Sequence, residues 1–301
     1  MFASEDGTEI YQFDADGRHE TTVNVMTGET IYTFGYDGDN LLTTVTDGDG
    51  NVTTINRDGD GTPTSIEGPY GQTTSLSLDS NGYLETITNP DSETDTFAYT
   101  SSGLMETYAT AEGNTKTYGF DDNGKLTSAQ DPLLQTKTLS RSETDEGYTV
   151  TLTTPEGVAT TYTVTESTDE STTTRTYTDG ASLTTTTQIG ADGTTTIAYP
   201  DGSALSTTEG PDPRFEMQSP ITTEYTRTTP DGLTYSRTTD RDVTLTDSAD
   251  LLSLATQTDT ITINGREYTE VFNSSDSTII TTTPGSRNDK MISGLDIGPD
   301  S

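Results

Sequence analysis

Hydrophobic and polar residues alternate along short segments that repeat every 21 residues in the first half of the chain. Five turn-like segments begin at this spacing: Tyr36-Asp37-Gly38-Asp39-Asn40, Arg57-Asp58-Gly59-Asp60-Gly61, Leu78-Asp79-Ser80-Asn81-Gly82, Tyr99-Thr100-Ser101-Ser102-Gly103 and Phe120-Asp121-Asp122-Asn123-Gly124. Three apolar columns keep the same register: Leu42, Pro63, Leu84, Met105 and Leu126; Val45, Ile66, Ile87, Tyr108 and Ala129; and Ile55, Leu76, Phe97, Tyr118 and Leu139. Alternation on both sides of a turn is typical of β-hairpins, so the pattern predicts repeated hairpin units.

The residues of each turn give a chemical reason for the hairpin. An Asp side chain can accept hydrogen bonds from the backbone of its own turn, and the glycine that follows can adopt positive φ. A second Gly, Pro, Asn or Asp cluster closes each unit, near 47–51, 68–71, 89–92, 111–114 and 131–132. Two strands and two turns fit one period, so the sequence predicts an all-β fold built as a repetitive antiparallel hairpin strip with a 21-residue period.

The pattern is less regular outside this region. A related turn, Phe13–Arg18, lies 23 residues before Tyr36, and beyond Arg141 the period blurs although alternation and threonine runs continue. Turn signals recur at Pro155-Glu156-Gly157, Thr178-Asp179-Gly180, Ala191-Asp192-Gly193, Pro200-Asp201-Gly202 and Pro230-Asp231-Gly232. Threonine favours strands because its branched Cβ stiffens χ1. No helix is predicted.

These observations predict four regions. Residues 1–27 form a lead-in hairpin, 28–140 the regular repeats, 141–285 degenerate threonine-rich repeats, and 286–301 a loosely ordered or truncated tail. The segment Gly210–Gln218 contains two prolines and is predicted to interrupt the strands as an ordered loop or crossover.

Composition narrows the function. The chain of 301 residues is 27% hydrophobic and carries 14 Lys and Arg against 50 Asp and Glu, a net charge of −36. Low hydrophobicity and a high net charge are also typical of disordered chains. Aromatic residues at fixed spacing argue against disorder here. The charge excludes nucleic-acid binding and disfavours anionic membranes. The absence of cysteine leaves the redox compartment open. No apolar stretch is long enough for a transmembrane segment, and the first residues do not resemble a signal peptide.

The repeat resembles a known family. Tyr36-Asp37 followed by Gly38 to Leu42, the unit Phe120–Leu126 and the copies between them are similar to the YD repeat of Rhs proteins, teneurins and the shell subunits of insecticidal toxin complexes. The resemblance covers roughly residues 10–140 and continues in degenerate form to about 285. It implies a β-sheet shell that encloses a toxin or serves in adhesion. Closed shells of this family use longer chains, and the family's self-cleaving C-terminal segment and a distinct toxin domain are not found here, so we expect an open portion of a shell wall.

Candidates for catalysis are few. His19 is the only histidine, and its predicted role is that of a solvent-facing strand residue rather than a member of a catalytic triad. Zinc binding through histidine has no support. The carboxylate pairs Glu143/Asp145 and Asp169/Glu170 could serve glycoside hydrolysis, but a solvated acidic face explains them more simply. We predict no enzyme activity, no catalytic residue and no cofactor.

Calcium is the alternative left open. Asp14/Asp16, Asp37/Asp39, Asp47/Asp49/Asn51 and Asp58/Asp60 place oxygen atoms at alternate positions. The match to a calcium-binding loop is incomplete, because Val52 stands where such a loop requires glycine. Turn formation is a sufficient explanation for these Asp residues. Asn51-Val52-Thr53 and Asn273-Ser274-Ser275 fit glycosylation sequons, which matter only in a host that glycosylates.

The sequence thus predicts a structural segment of a secreted or cell-surface protein. In this hypothesis the hairpins bury one face, present an acidic face to water and form a shell wall around a toxin or other cargo. The expected partners are further repeats of a parent chain or a second copy joined end to end, because open sheet edges invite pairing. The alternative is an adhesin that recognises a glycan or protein through exposed aromatic residues or the Pro211–Gln218 loop.

Overall fold

The structure is a computed structural model that describes residues 1–167, 171–285 and 288–292. These residues form 26 strands and no helix, which confirms the predicted all-β class. In chain order the strands are β1 Phe2–Ala3, β2 Glu9–Phe13, β3 His19–Asn24, β4 Thr30–Tyr36, β5 Leu42–Asp47, β6 Val52–Arg57, β7 Pro63–Glu67, β8 Thr73–Leu78, β9 Leu84–Thr88, β10 Thr94–Tyr99, β11 Met105–Ala109, β12 Thr115–Phe120, β13 Leu126–Gln130, β14 Thr136–Thr144, β15 Gly147–Thr153, β16 Ala159–Glu166, β17 Thr172–Thr178, β18 Thr184–Gly190, β19 Thr194–Ala198, β20 Ala204–Asp212, β21 Glu216–Thr228, β22 Thr234–Leu245, β23 Leu254–Ile263, β24 Arg266–Asn273, β25 Thr278–Thr282 and β26 Asn288–Ile292. The described part of the chain contains no helix able to cross a membrane.

The chain divides into two compact units. We call Tyr32–Thr165 with Arg175–Thr184 the regular unit, and Met1–Ile31, Glu166–Thr174 and the residues from Thr185 onward the cored unit. In the regular unit β4 to β16 pair antiparallel in chain order. In the cored unit the same arrangement joins β1 to β3 and β18 to β26.

The predicted register of the repeat is confirmed in the regular unit. The residues predicted to follow the first turn, Leu42, Pro63, Leu84, Met105 and Leu126, are the first residues of β5, β7, β9, β11 and β13. The two apolar columns on either side of this turn are direct cross-strand partners, as in Ile55 opposite Ile66 and Phe97 opposite Tyr108. A register shift next to the turn recurs in each unit, for example between Asn56 and Arg57. The repeat therefore includes a β-bulge at a fixed place.

Both turns of a unit have the same backbone geometry. In the turn that begins at Asp58, the Asp58 N–H donates to the Thr62 carbonyl at 2.9 Å, and the Gly61 N–H donates to the Asp58 carbonyl at 3.1 Å. The fourth residue is left-handed, with φ of 82° at Gly61. The second turns repeat these bonds, with left-handed fourth residues Gly50, Gly71, Ser92, Gly113 and Leu134. Glycine is favoured at this position because it has no Cβ.

The hydrophobic core lies in the cored unit. Ile10, Val25 and Phe215 are buried against one another, and Ala3 and Leu252 pack on them. Phe215 comes from the turn between β20 and β21, about 190 residues after Val25. This core therefore depends on contacts that are distant in sequence.

Two sequence predictions need correction. The segment Gly210–Gln218 does not interrupt the strands: β20 runs to Asp212 and β21 starts at Glu216, so only a tight turn separates them. Proline at 211 and 213 is tolerated because two register shifts disturb the ladder there. The predicted loose tail contains β26, which pairs with β25, and residues 293–301 lie outside the described residues.

Candidate functional surfaces

The regular unit is a single-layer ladder with one apolar face. Its cross-strand pairs on this face include Phe34 with Val45, Leu76 with Ile87 and Leu139 with Leu152. No residue of the regular unit is fully buried, and Ile66 keeps 38% of its surface exposed. The apolar columns predicted to bury one face thus line one face, but no second layer within the unit covers them.

The opposite face carries hydroxyl groups, which corrects the expectation of an acidic face. It includes Thr44, Thr54, Ser65, Ser75, Thr86, Thr96, Thr107, Thr117, Ser128, Thr138, Thr151 and Thr161. Some of the hydroxyls on this face bond across strands, as Ser77 Oγ does with Thr86 Oγ1 at 2.6 Å. Many of the carboxylates lie instead in the turns. The ladder therefore has chemically different faces.

The first turns of successive units contact one another. A Cβ added to Gly61 would lie 2.9 Å from Leu41 Cδ1 of the preceding turn, and one added to Gly103 would lie 2.7 Å from the Tyr83 hydroxyl. The Tyr83 and Tyr99 rings have centroids 5.2 Å apart. Positive φ favours glycine at both positions, and a larger residue would also displace the end of the Leu41 or Tyr83 side chain. The sequence analysis missed this contact, although Leu41, Tyr83 and Leu104 occupy the same position of the 21-residue repeat and could have indicated it.

The carboxylates considered for calcium act as turn acceptors. Asp47 Oδ1 accepts from the N–H groups of Asp49 and Asn51 at 3.0 and 2.8 Å, and Oδ2 accepts from Asn51 Nδ2 at 2.9 Å. The hydrogen bonds from Asn51 hold the pKa of Asp47 below its ordinary value of 3.8. Asp14 is similar, because the Arg18 N–H and guanidinium lower its pKa. Asp37 and Asp58 accept two backbone N–H groups each.

These turns do not combine into a larger cluster. Within the described residues, no three His, Cys, Asp or Glu side chains converge as a metal site would require. The absence of a cofactor remains a prediction, and calcium remains the open alternative. Of the two sequons, Asn51 has its amide on Asp47, and Asn273 Oδ1 accepts from the Ser275 N–H at 3.0 Å.

His19 is half-buried rather than solvent-facing. It lies on β3, with its ring stacked on Phe13 at a centroid distance of 5.1 Å and edge-on to Tyr11 at 5.5 Å. Its Nε2 atom lies 3.0 Å from the Thr21 carbonyl oxygen and 3.1 Å from Thr22 Oγ1. The bulge at Phe13 brings the two rings together. The contacts are those of a packed strand residue.

The carboxylate pairs are not brought together as an acid and a base. Glu143 binds Arg141 at 2.5 Å and Lys125 at 3.4 Å, and the Arg141 hydrogen bond lowers the pKa of Glu143. A general acid of a glycosidase requires the opposite shift. Asp145 lies in the turn between β14 and β15. The second pair, Asp169/Glu170, lies outside the described residues.

A buried polar network in the cored unit was missed by sequence reasoning. Asp212 is 3% exposed, accepts from the backbone N–H groups of Arg214 and Phe215, and forms an ion pair with Arg241 at 3.1 Å. Arg241 also binds Asp259 through two nitrogens at 2.6 and 2.9 Å, and this bonding raises the pKa of Arg241.

Arg214 completes the network. Its guanidinium donates to the Val25 carbonyl and to Gln257 Oε1, both at 3.3 Å, and lies 4.9 Å from the centre of the Phe215 ring. Burial lowers the pKa of Arg214. The network fixes the turn between β20 and β21 against the N-terminal strands. No local sequence motif indicates this network.

Comparison with known proteins identifies a family and solved structures that this chain resembles. The family model for the teneurin YD-shell matches residues 2–290. A solved structure titled "Crystal Structure of TcdB2-TccC3-TEV" aligns with 94% of the chain at 11% identity and a TM-score of 0.44, and the match spans 18% of that chain. A structure of the Photorhabdus luminescens Tc holotoxin pore aligns with 91% of the chain at 8% identity and a TM-score of 0.27, spanning 23% of its chain. No curated protein matches the sequence.

Proposed function

The chain belongs to the teneurin YD-shell family, and on this premise we propose that it forms one stretch of the wall of a secreted shell that encloses a polypeptide cargo. A structural shell role follows from the family itself. The enclosed cargo and the location outside the cell are the further steps of the proposal. We assign no catalytic residue.

The single observation that carries the proposal is the apolar face of the regular unit, which no second layer within that unit covers. A sheet with one apolar face requires a second layer, or an enclosed space, to remove that face from bulk water. A shell meets this need when the apolar face is turned inward and the hydroxyl face, with its Ser and Thr, is turned outward. Half-exposed side chains such as Ile66 would then contact a cargo chain rather than a packed second sheet.

The expected partners are further YD repeats. Among the described residues β26 pairs with β25. The chain spans about a fifth of the length of the structures with which it aligns. We therefore expect repeats of a longer parent chain to extend the ladder, and end-to-end pairing of two copies is the second way to cover the edge.

The proposal is tested on the longest native parent chain. Cryo-electron microscopy should show a closed wall, and mass spectrometry after protease treatment should recover a protected polypeptide. Ile66→Asp should abolish this protection because it places a charge on the apolar face, whereas Ser65→Asp, its neighbour on the hydroxyl face, should retain it. An open strip, or equal protection in both variants, would reject enclosure.

A further inference from the structure

A hollow of about 200 Å³ interrupts the apolar face of the regular unit. It lies where the column that contains Val45, Ile66 and Ile87 has the small residue Ala129. Its lining includes Lys116, Tyr118, Ala129, Asp131, Gln135 and Lys137. The missing side-chain volume at position 129 is the physical origin of the hollow.

The strand register places the lining on one face. Ala129 on β13 is opposite Tyr118 on β12 and opposite Lys137 on β14. Lys116 is two residues from Tyr118 on the same strand, so both side chains point to the same face. The two lysines lie on strands separated by one other strand, which puts their backbones roughly 10 Å apart. The hollow is therefore lined by Tyr118 and Ala129 on this face, with a lysine residue on each side.

These lysines are exceptional in so acidic a chain. The regular unit holds many exposed carboxylates, yet neither Lys116 nor Lys137 forms an ion pair with any of the described residues. Lys116 lies 5.8 Å from the centre of the Tyr108 ring. Lys125, by contrast, binds Glu143 at 3.4 Å. Two unpaired ammonium groups beside a hollow attract an anion.

Asp131 narrows the choice of anion. Its Oδ1 accepts from the N–H groups of Leu133 and Gln135, both at 2.9 Å, and no hydrogen bond to Oδ2 is formed by the described chain. The site thus offers two cationic donors and one anionic acceptor. A ligand that carries an anionic group for the lysines and a hydroxyl donor for Asp131 satisfies both, and a sugar with a carboxylate is such a ligand.

We propose that the hollow binds one carboxylate-bearing sugar residue of an acidic polysaccharide. Its carboxylate binds Lys116 and Lys137, a hydroxyl donates to Asp131 Oδ2, and the ring lies on Tyr118. The volume is below the roughly 300–1,000 Å³ of pockets for drug-sized ligands, as suits a single ring. An acidic peptide also brings a carboxylate to the two lysines, so the test includes polyglutamate. The hollow lies on the face that the proposed wall turns inward, so in a closed shell it would open to the enclosed space, and its affinity is measured on the isolated chain.

The test titrates the whole chain with an oligogalacturonate by calorimetry, with a neutral galactose oligomer of equal length as reference. We expect binding of the acidic oligomer alone, weakened by salt. Lys116→Gln and Lys137→Gln should each reduce affinity about tenfold, as loss of a charge-assisted bond predicts. Lys125→Gln is the matched control and should bind as the unchanged chain does.

A second variant separates binding from folding. Ala129→Ile introduces the residue that the same column has at 66 and 87, so it should leave the circular dichroism spectrum unchanged while it fills the hollow and abolishes binding. Unchanged binding in Ala129→Ile, equal affinity for the neutral oligomer, or tighter binding of polyglutamate would each overturn the proposal.

Discussion

At the scale of single residues, the recurring Asp is explained by one backbone task. Asp37, Asp47, Asp58, Asp79, Asp121, Asp131 and Asp179 each accept two backbone N–H groups through Oδ1. The donors are the residues two and four positions later, which is the geometry of an Asx-type turn. This task accounts for the alternate spacing of oxygen atoms that also suggested calcium.

These bonds predict a dependence of stability on pH. The pKa of Asp47 is below 3.8 in the folded chain, so its contribution to the free energy of unfolding is present above that value and is lost as pH falls through the lowered folded pKa. We expect Asp47→Asn to destabilise the chain at neutral pH, and the difference from the unchanged chain to vanish once the pH has fallen below the lowered folded pKa.

Urea unfolding followed by circular dichroism between pH 7 and 2.5 measures this difference. Asp49→Asn is the matched control, because it removes the same charge from a side chain to which no hydrogen bond is formed within the described residues. If both variants changed alike with pH, general charge repulsion rather than the turn would be the cause.

At the scale of elements, the turn between β20 and β21 carries the core. Local pattern predicted the strands of the regular unit because each apolar column meets its partner a few residues away, as Ile55 meets Ile66. The local pattern gave a wrong prediction for Gly210–Gln218, because its two prolines indicate a loop. The contacts that stabilise this segment come from the distant residues Ile10 and Val25. No feature of the sequence near position 215 identifies partners so distant in the chain.

The core predicts a large effect of one substitution. Phe215 is 7% exposed, so Phe215→Ala should lower the free energy of unfolding of the cored unit by about 3 kcal/mol through lost burial and the cavity that remains. Met217, two residues further along, is 56% exposed, and Met217→Ala should change the free energy of unfolding by less than about 0.5 kcal/mol. Urea unfolding distinguishes the two, and equal effects would show that the turn does not anchor the core.

At the scale of the whole molecule, the two units differ in the interactions that stabilise them. The cored unit buries large apolar side chains, whereas the regular unit, which has no fully buried residue, depends on repeated neighbour contacts along its ladder. Stability of such an array is approximately a sum over units and their interfaces. The sequence predicted this repeat well because each period contains its own turns and strands. It could not predict the candidate sugar site, which depends on side chains from three strands and on a missing one at Ala129.

The additive ladder predicts that one full period can be removed. Deletion of residues 58–78 joins Arg57 to Asp79, and β6 should then pair with β9, with Ile55 opposite Ile87 in place of Ile66. Deletion of 58–77 removes one residue fewer and shifts every later side chain to the opposite face. We expect the first variant to unfold cooperatively in urea at nearly the original midpoint, and the second to be digested rapidly by protease. Equal resistance of the two variants would mean that the apolar columns do not set the register.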